Sequence, residues 1–384
     1  MASGGNQRLL PPEIMNKILV RLPAKSIVRF QCVCKEWKNL SKSPSFIAEH
    51  FNHQPDRNNP FLLLHEYSDE HRRSSLYLLD HKMETVDVLR IPSIGAFRRK
   101  WRIIGSCNGL LCVQVDDGRR RSHSLWLWNP LIREVREVPS TRNDKRVCRI
   151  GFGFSSVAND YKIVRFYTPE LPKKKSERVY YCNRIDHVEV YSLSTDSWKE
   201  LEFVVLHLSH ALLNKSVNVD GTIFWLAKTS VVSFDIATEV VKITAILSED
   251  ASYPLWLGVY ENKLVCHYGF REEDGSYSAS VCMMEEVASQ YGIEYGNNMS
   301  CTQKYRIDQG SHDLHTLCVW GNEMVCLDKE YVSEVEGDPK CVLRMFNLNN
   351  NEETKFNCST SYGWCDAFNY EKSLVSVWNT QQVE

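Results

Sequence analysis

The residues able to do chemistry are present but badly spaced for it. Gly151-Phe152-Gly153-Phe154-Ser155-Ser156 opens like a dinucleotide loop, yet it lacks the third glycine and the following helix that would bring backbone N–H groups to a pyrophosphate. It reads instead as a β-turn packed by two Phe rings. His65-Glu66 followed by His71 misses the zinc-protease helix, where the two His ligands must stand at i and i+4 to share one face. Cys32 with Cys34, Cys107 with Cys112 and His312 with His315 supply possible ligands but no pair of pairs that closes a tetrahedron. Cys34 falls on the stripe of Trp37 and Leu40 and reads as a small core residue. Neither a Gly-x-Ser-x-Gly elbow nor a phosphate-binding Gly-Lys-Ser/Thr loop occurs, and the acid pairs Glu272-Glu273 and Glu285-Glu286 read as solvated turn and strand-end residues. No catalytic, metal-binding or cofactor-binding residue is assigned. The expectation is a protein that binds without catalysing.

The charged clusters are better candidates. Arg98-Arg99-Lys100, Arg119-Arg120-Arg121 and Lys173-Lys174-Lys175 fall between predicted strands, where loops commonly carry recognition and where solubility also asks for charge. The chain as a whole is nearly neutral at -2, which gives nucleic acid little non-specific attraction. Its distribution is uneven. Residues 1–52 hold eight Lys and Arg against three Glu, a charge of +5, which leaves -7 for the remainder. No apolar run approaches the roughly 18 residues that cross a bilayer, and Ala2 rather than Gly follows Met1, so neither a membrane span nor myristoylation is expected. The opening residues carry no apolar export segment, so the 14 cysteines are expected as reduced thiols in the cytosol or nucleus.

Two kinds of element must position these groups. Ile14, Ile18 and Leu22 recur every four residues with Met15 and Leu19 alongside, a helical stripe that Pro23 should end. Ile27, Phe30 and Val33 mark a second short helix and Trp37 and Leu40 a third, while Ser43-Pro44 is an N-cap followed by Pro at the first helical position. About 40 residues cannot bury that much apolar surface alone, so part of it must face the body or another protein. The polar, turn-rich stretch 53–60 separates this head, 1–52, from a body, 61–384, whose apolar period is near 2.

In the body a loose repeat pairs a Gly- or Asn-containing turn and apolar strand with a later aromatic strand and hairpin. Its clearest copy joins Cys107-Asn108-Gly109-Leu110 to Trp128-Asn129-Pro130 and Arg133-Glu134. The last copy, Tyr370–Val377, has only a first half, and the missing second half stands at the other end of the body, in Ser75–Asp80 and Val86–Leu89. Sharing one blade between the two ends closes a ring and hides its edges. The expected fold is α+β: a small helical head, then a mainly-β, six-bladed β-propeller-like domain, with an irregular pair of β-sandwiches as the alternative.

Leu10-Pro11-Pro12-Glu13-Ile14, Ile18 through Arg29, Val33-Cys34-Lys35-Glu36-Trp37 and Ser43-Pro44-Ser45-Phe46 closely resemble the plant F-box. The body's Gly105-x-Cys107-Asn108-Gly109-Leu110, Trp128-Asn129-Pro130, Asp160-Tyr161-Lys162, Tyr191-Ser192-Leu193 with Ser197-Trp198, and Ser233-Phe234-Asp235 look like the F-box-associated type 1, kelch-like domain, a family that includes S-locus F-box proteins. Ser41 departs from the usual apolar residue, and Val281 to Ile307 is a longer form of a family segment. The resemblance implies a Skp-type adaptor as partner, and through it a cullin and RING protein. It implies a substrate-recognition role in an SCF-type ubiquitin ligase, with a protein substrate whose identity the residues leave open. A non-degradative scaffold and a pollen receptor for self-incompatibility ribonucleases are the alternatives. Leu10, Pro11, Ile14, Ile18 and Leu22 are the expected adaptor anchors, with Pro23 setting the interhelix turn and Trp37 holding the head together. The three basic loops are the expected substrate contacts.

Overall fold

The computed structural model describes residues 11–54, 60–68, 73–116, 123–141, 146–168, 184–202, 206–208, 215–247, 254–287, 298–310, 314–330, 340–357 and 363–378. Four short helices make the head: α1 (Pro12–Leu19), α2 (Ala24–Phe30), α3 (Lys35–Leu40) and α4 (Pro44–His53). Each starts for a local reason. Pro12 and Pro44 sit in the first turn, where a missing N–H costs nothing, and Ser43 Oγ accepts from Phe46 N–H at 3.3 Å. Cys34 is not a core residue of the third helix; its sulfur caps that helix, accepting from Trp37 N–H at 3.4 Å. Pro23 does not end α1, which stops at Leu19, but occupies the N-cap of α2.

Six four-stranded antiparallel blades follow. Blade 1 begins with β1 (Phe61–Ser68), β2 (Arg73–Leu79) and β3 (Thr85–Val88), and blade 2 comprises β4 (Trp101–Cys107), β5 (Leu110–Asp116), β6 (His123–Asn129) and β7 (Glu134–Glu137). Blade 3 holds β8 (Arg146–Ser155), β9 (Asp160–Thr168), β11 (His187–Ser192) and β12 (Ser197–Glu200), with the two-residue strands β10 (Arg184–Ile185) and β13 (Leu206–His207) paired beside it. Blade 4 is β14 (Ser216–Val219), β15 (Thr222–Ala227), β16 (Ser230–Asp235) and β17 (Val241–Leu247). Blade 5 is β18 (Trp256–Tyr260), β19 (Lys263–Arg271), β20 (Tyr277–Val287) and β21 (Asn298–Gly310). Blade 6 is β22 (His315–Trp320), β23 (Glu323–Glu330), β24 (Lys340–Asn347) and β25 (Glu353–Asn357). A short parallel pairing of β17 with β21, Ala245 opposite Asn298 through Leu247 opposite Ser300, fastens blades 4 and 5 together.

The first strand of each blade lines the axis, β4 beside β8, β8 beside β14, then β18 and β22. The ring is completed by β26 (Gly363–Tyr370), which pairs antiparallel with β1 from Phe61–Tyr370 to Ser68–Gly363 and stands between β22 and β4. Two-residue hairpins at Asn108-Gly109, Asp220-Gly221 and Glu261-Asn262 take positive φ at both positions, the geometry that matches strand twist. Between blades the core is aromatic: Trp101, Trp128, Trp225 and Trp320 are almost fully buried.

Two expectations for the body fail as well. The closing strand precedes Tyr370 rather than following it, and Glu371–Trp378 is a strap outside the sheets. Gly151 and Gly153 lie inside β8, not in a turn; a Cβ on Gly151 would overlap the indole of Trp225, so glycine lets blade 4 approach blade 3.

Two buried histidines should make the body sensitive to acid. Burial lowers His65, stacked on Trp101 with ring centroids 4.2 Å apart, to a pKa of about 3, and His267 to about 4. Both stay neutral in the fold while the unfolded chain takes up protons below about 6.5, so the stability they contribute is complete above that pH and is lost as pH falls toward 4 and then 3. His65→Phe keeps a stacking ring and removes one proton from this linkage. Urea unfolding at pH 7.5, 6.5, 5.5 and 4.5 should show its slope of stability against pH reduced by about 1.4 kcal/mol per unit below pH 6; a slope equal to that of the parent would refute the assignment. Ending the chain at residue 362 should leave blade 1 without its axial strand. The product should aggregate or elute as an expanded species in size-exclusion chromatography; a monomeric, cooperatively unfolding product would count against closure by β26.

Candidate functional site

The helical stripe of α1 divides by face. Leu19 and Val20 are buried with Ala24, Ile27, Phe46 and Ile47, while Ile14 and Ile18 are 46% and 45% exposed. Pro11 and Pro23 are exposed and Leu22 is half-buried; Leu10 lies outside the described residues. Trp37 packs edge-on against Phe30 at 5.5 Å inside the head, half-buried. Val33, expected on the second short helix with Ile27 and Phe30, falls beyond the end of α2 and is 61% exposed. Lys17 and Arg21 stand exposed beside Ile14 and Ile18 on the same stretch of chain. The arrangement suits a partner surface that is apolar at the centre and acidic at the rim.

The inward side of the head is closed by the other end of the chain. Leu374, from the strap, is 4% exposed within the head's own apolar cluster, and Leu131, Ile132 and Val375 pack around it. The strap is stitched to blade 2. Asn129 Nδ2 donates to the carbonyls of Ser373 at 3.0 Å and Val375 at 2.7 Å, while its Oδ1 accepts from Leu131 N–H at 3.0 Å. Glu134 accepts from Ser376 Oγ at 2.5 Å and Val377 N–H at 3.2 Å, and Arg136 donates to Val377 O at 3.2 Å. Ser373 Oγ donates to Asn108 O at 2.5 Å, and any Cβ on Gly109, at φ 78°, would collide with that serine. The Asn108-Gly109 and Asn129/Glu134 motifs of the repeat are therefore docking points for the strap.

His50 ties α4 to the turn between α1 and α2, with Nε2 2.9 Å from Leu22 O, and burial lowers its pKa. Below α4 a cavity of about 820 Å³ opens into the propeller axis, with Ala48 and Phe51 on one side and Asn108, Asn218 and Asn262 on the other. At its far end Lys215 donates to Leu317 O at 2.6 Å, Ala367 O at 3.0 Å and the Asp366 carboxylate at 3.0 Å. Lys215 thereby links the inner strands of blades 6 and 1. Among the described residues no group of three His, Cys, Asp or Glu could hold a metal ion.

The described members of the first basic cluster lie at the opposite end of the blades. Strand β4 runs from Trp101, remote from the head, to Cys107 beside α4's cavity, so Arg99 and Lys100, both exposed, belong to the remote end. Lys100 O accepts from Asp116 N–H at 2.9 Å, which sets it beside the point where the chain leaves β5 toward residues 119–121. Thr168, where the chain leaves β9 toward residues 173–175, pairs with Arg146 at the start of β8. Arg119, Arg120, Arg121, Lys173, Lys174 and Lys175 themselves lie outside the described residues, as does the side chain of Arg98.

Residues 8–48 match the F-box domain family, and residues 72–377 match the family described as the F-box associated beta propeller domain. The F-box/kelch-repeat protein At3g23880 of Arabidopsis thaliana is 27% identical over 61% of this chain and 64% of its own length. The F-box protein At3g08750 of the same plant is 28% identical over 61% of this chain and 59% of its own length. The chain thus spans less than two thirds of the length of these relatives. Among solved structures, TolB from Acinetobacter baumannii aligns over 84% of this chain and 69% of its own at 10% identity and a TM-score of 0.45. The chain belongs to the family of F-box proteins that carry an F-box associated beta propeller domain.

Proposed function

We propose that this protein is the substrate-recognition subunit of an SCF-type ubiquitin ligase, docking a Skp-type adaptor through its head and a protein substrate through the remote loops of its propeller. The observation that carries this reading is the orientation of the head: one side is sealed onto the body around Leu374, and Ile14 and Ile18 are left outward, outside the head's own apolar cluster. In this role the chain lowers no chemical barrier itself. It raises the effective concentration of a substrate lysine near a ubiquitin-conjugating enzyme carried elsewhere in the complex.

Ile18→Asp places a charge at the centre of the outward face. Adaptor affinity should fall by about 30-fold or more, the loss of a 2 kcal/mol anchor, while thermal stability stays within about 0.5 kcal/mol because the side chain is exposed. Calorimetric titration with purified adaptor and a thermal melt of the same sample measure both. Parent-like affinity would mean that the adaptor docks elsewhere.

Replacing Arg98–Lys100, Arg119–Arg121 and Lys173–Lys175 with Ser should leave adaptor affinity intact and remove ubiquitin-modified proteins from those co-purified with the complex under proteasome inhibition. An unchanged set would show that these loops do not hold substrate. Proteins whose half-life is insensitive to proteasome inhibition would favour the scaffold role over degradation.

A further inference from the structure

Three cysteines converge on one face of blade 5, from three consecutive strands. Cys266 of β19 stands opposite Cys282 of β20, and Cys301 of β21 stands opposite Met284, two residues further along β20. Cys266 is fully buried and Cys282 nearly so, whereas Cys301 is partly open to solvent. The sulfur of Cys301 receives two donors: the Cys266 S–H at 3.8 Å and the Tyr268 hydroxyl at 3.4 Å. Tyr268 is itself only 5% exposed, so its hydroxyl is held in place rather than exchanged with water. This geometry belongs neither to the adaptor face nor to the basic loops.

We propose that Cys301 is a modification site, an activated thiol that reacts with peroxides and with soft carbon electrophiles. Two hydrogen bonds directed at one sulfur stabilise its anion, and the thiolate is the nucleophilic form. The pKa of Cys301 is accordingly drawn down to about 7, first by the Cys266 hydrogen bond and further by that from Tyr268, with partial burial opposing them. Its donors move the other way: burial and their hydrogen bonds hold Cys266 and Tyr268 protonated. Among the described residues the titratable groups facing the sulfur are Cys266 and Tyr268 from β19 and Cys282 from β20, and β17 contributes Ile246 to the same apolar cluster.

With hydrogen peroxide, a lone pair of the Cys301 thiolate attacks one oxygen and the O–O bond breaks. Hydroxide leaves, and the sulfur, oxidised by two electrons, keeps the other oxygen as a sulfenic acid. The Cys266 thiol is the candidate resolving partner, its sulfur 3.8 Å from that of Cys301. The two residues stand on strands separated by β20, a wider spacing than the roughly 7 Å between Cα atoms that a disulfide spans without backbone movement. Disulfide closure therefore requires the sheet to shift, and the sulfenic acid should persist long enough to be trapped.

The test uses the full chain. Alkylation by iodoacetamide, followed peptide by peptide in a mass spectrometer from pH 5.5 to 9.5, should give Cys301 a midpoint near 7 against about 8.5 for an unstructured cysteine peptide. Tyr268→Phe, which keeps the ring and removes one donor, should move that midpoint upward. Brief peroxide treatment with dimedone present should label Cys301 in the parent and nothing at that position in Cys301→Ser. A midpoint at or above that of the peptide, a midpoint unmoved in a folded Tyr268→Phe variant, or no dimedone adduct at Cys301 would each overturn the proposal.

Discussion

The pairing of β26 with β1 is the constraint on which the rest of the molecule depends. It joins residues 61–68 to residues 363–370, so eight consecutive register pairs form across almost the whole body. Contacts of such sequence separation come late, after the entropy of closing the chain has been met, and the five other blades must be in place to align them. Lys215 reports the same closure from inside the ring, since its three acceptors come from the inner strands of blades 6 and 1. Without closure that ammonium would face the axis with its acceptors apart, an uncompensated charge near a low-dielectric wall.

Closure also seats the head. The chain leaves β26 at Tyr370 and within a few residues places Ser373 under Asn129 and Leu374 among the head's apolar side chains. The polar part of this seat is made of buried amide and carbonyl groups, which cost free energy if left unpaired and therefore specify one position for the strap. The apolar part supplies what a head of about 40 residues cannot supply alone. Head and propeller are thus one construction, in which the last residues of the chain complete the core of the first.

Much of this was legible in the residues, and the failures have definite physical causes. Period-2 alternation and hairpin chemistry at Asn108-Gly109 and Asp220-Gly221 announced the blades because both depend on neighbours in sequence. The strap was misread as a strand because Leu374, Val375 and Val377 carry β-type side chains, yet what places them is Asn129 and Glu134, some 240 residues away. Gly151 and Gly153 were misread for the same reason: the side chains that demand glycine, Trp225 against Gly151 and Asn218 against Gly153, come from the next blade. On the head, periodicity found the stripe of α1 but could not say which of Ile14, Ile18 and Leu19 faces outward. That answer waits on what covers the other side. The cysteine cluster left no trace in spacing, since Cys266, Cys282 and Cys301 meet only through strand register.

The seat fixes how the head stands to the far ends of the blades. The head meets the blades at the hairpin ends near Asn108 and Asn129, and the chain leaves toward residues 119–121 from the other end, at Asp116 beside Lys100. A strand of seven residues such as β4 spans about 23 Å at 3.3 Å per residue, so Lys100 and Asp116 stand about that far from the hairpin ends that seat the head. Because the strap's polar groups and Leu374 resist rotation of the head, that distance is carried by folded structure. In the proposed role a fixed separation would narrow the volume that a substrate lysine explores, raising its effective concentration above what a long flexible tether gives.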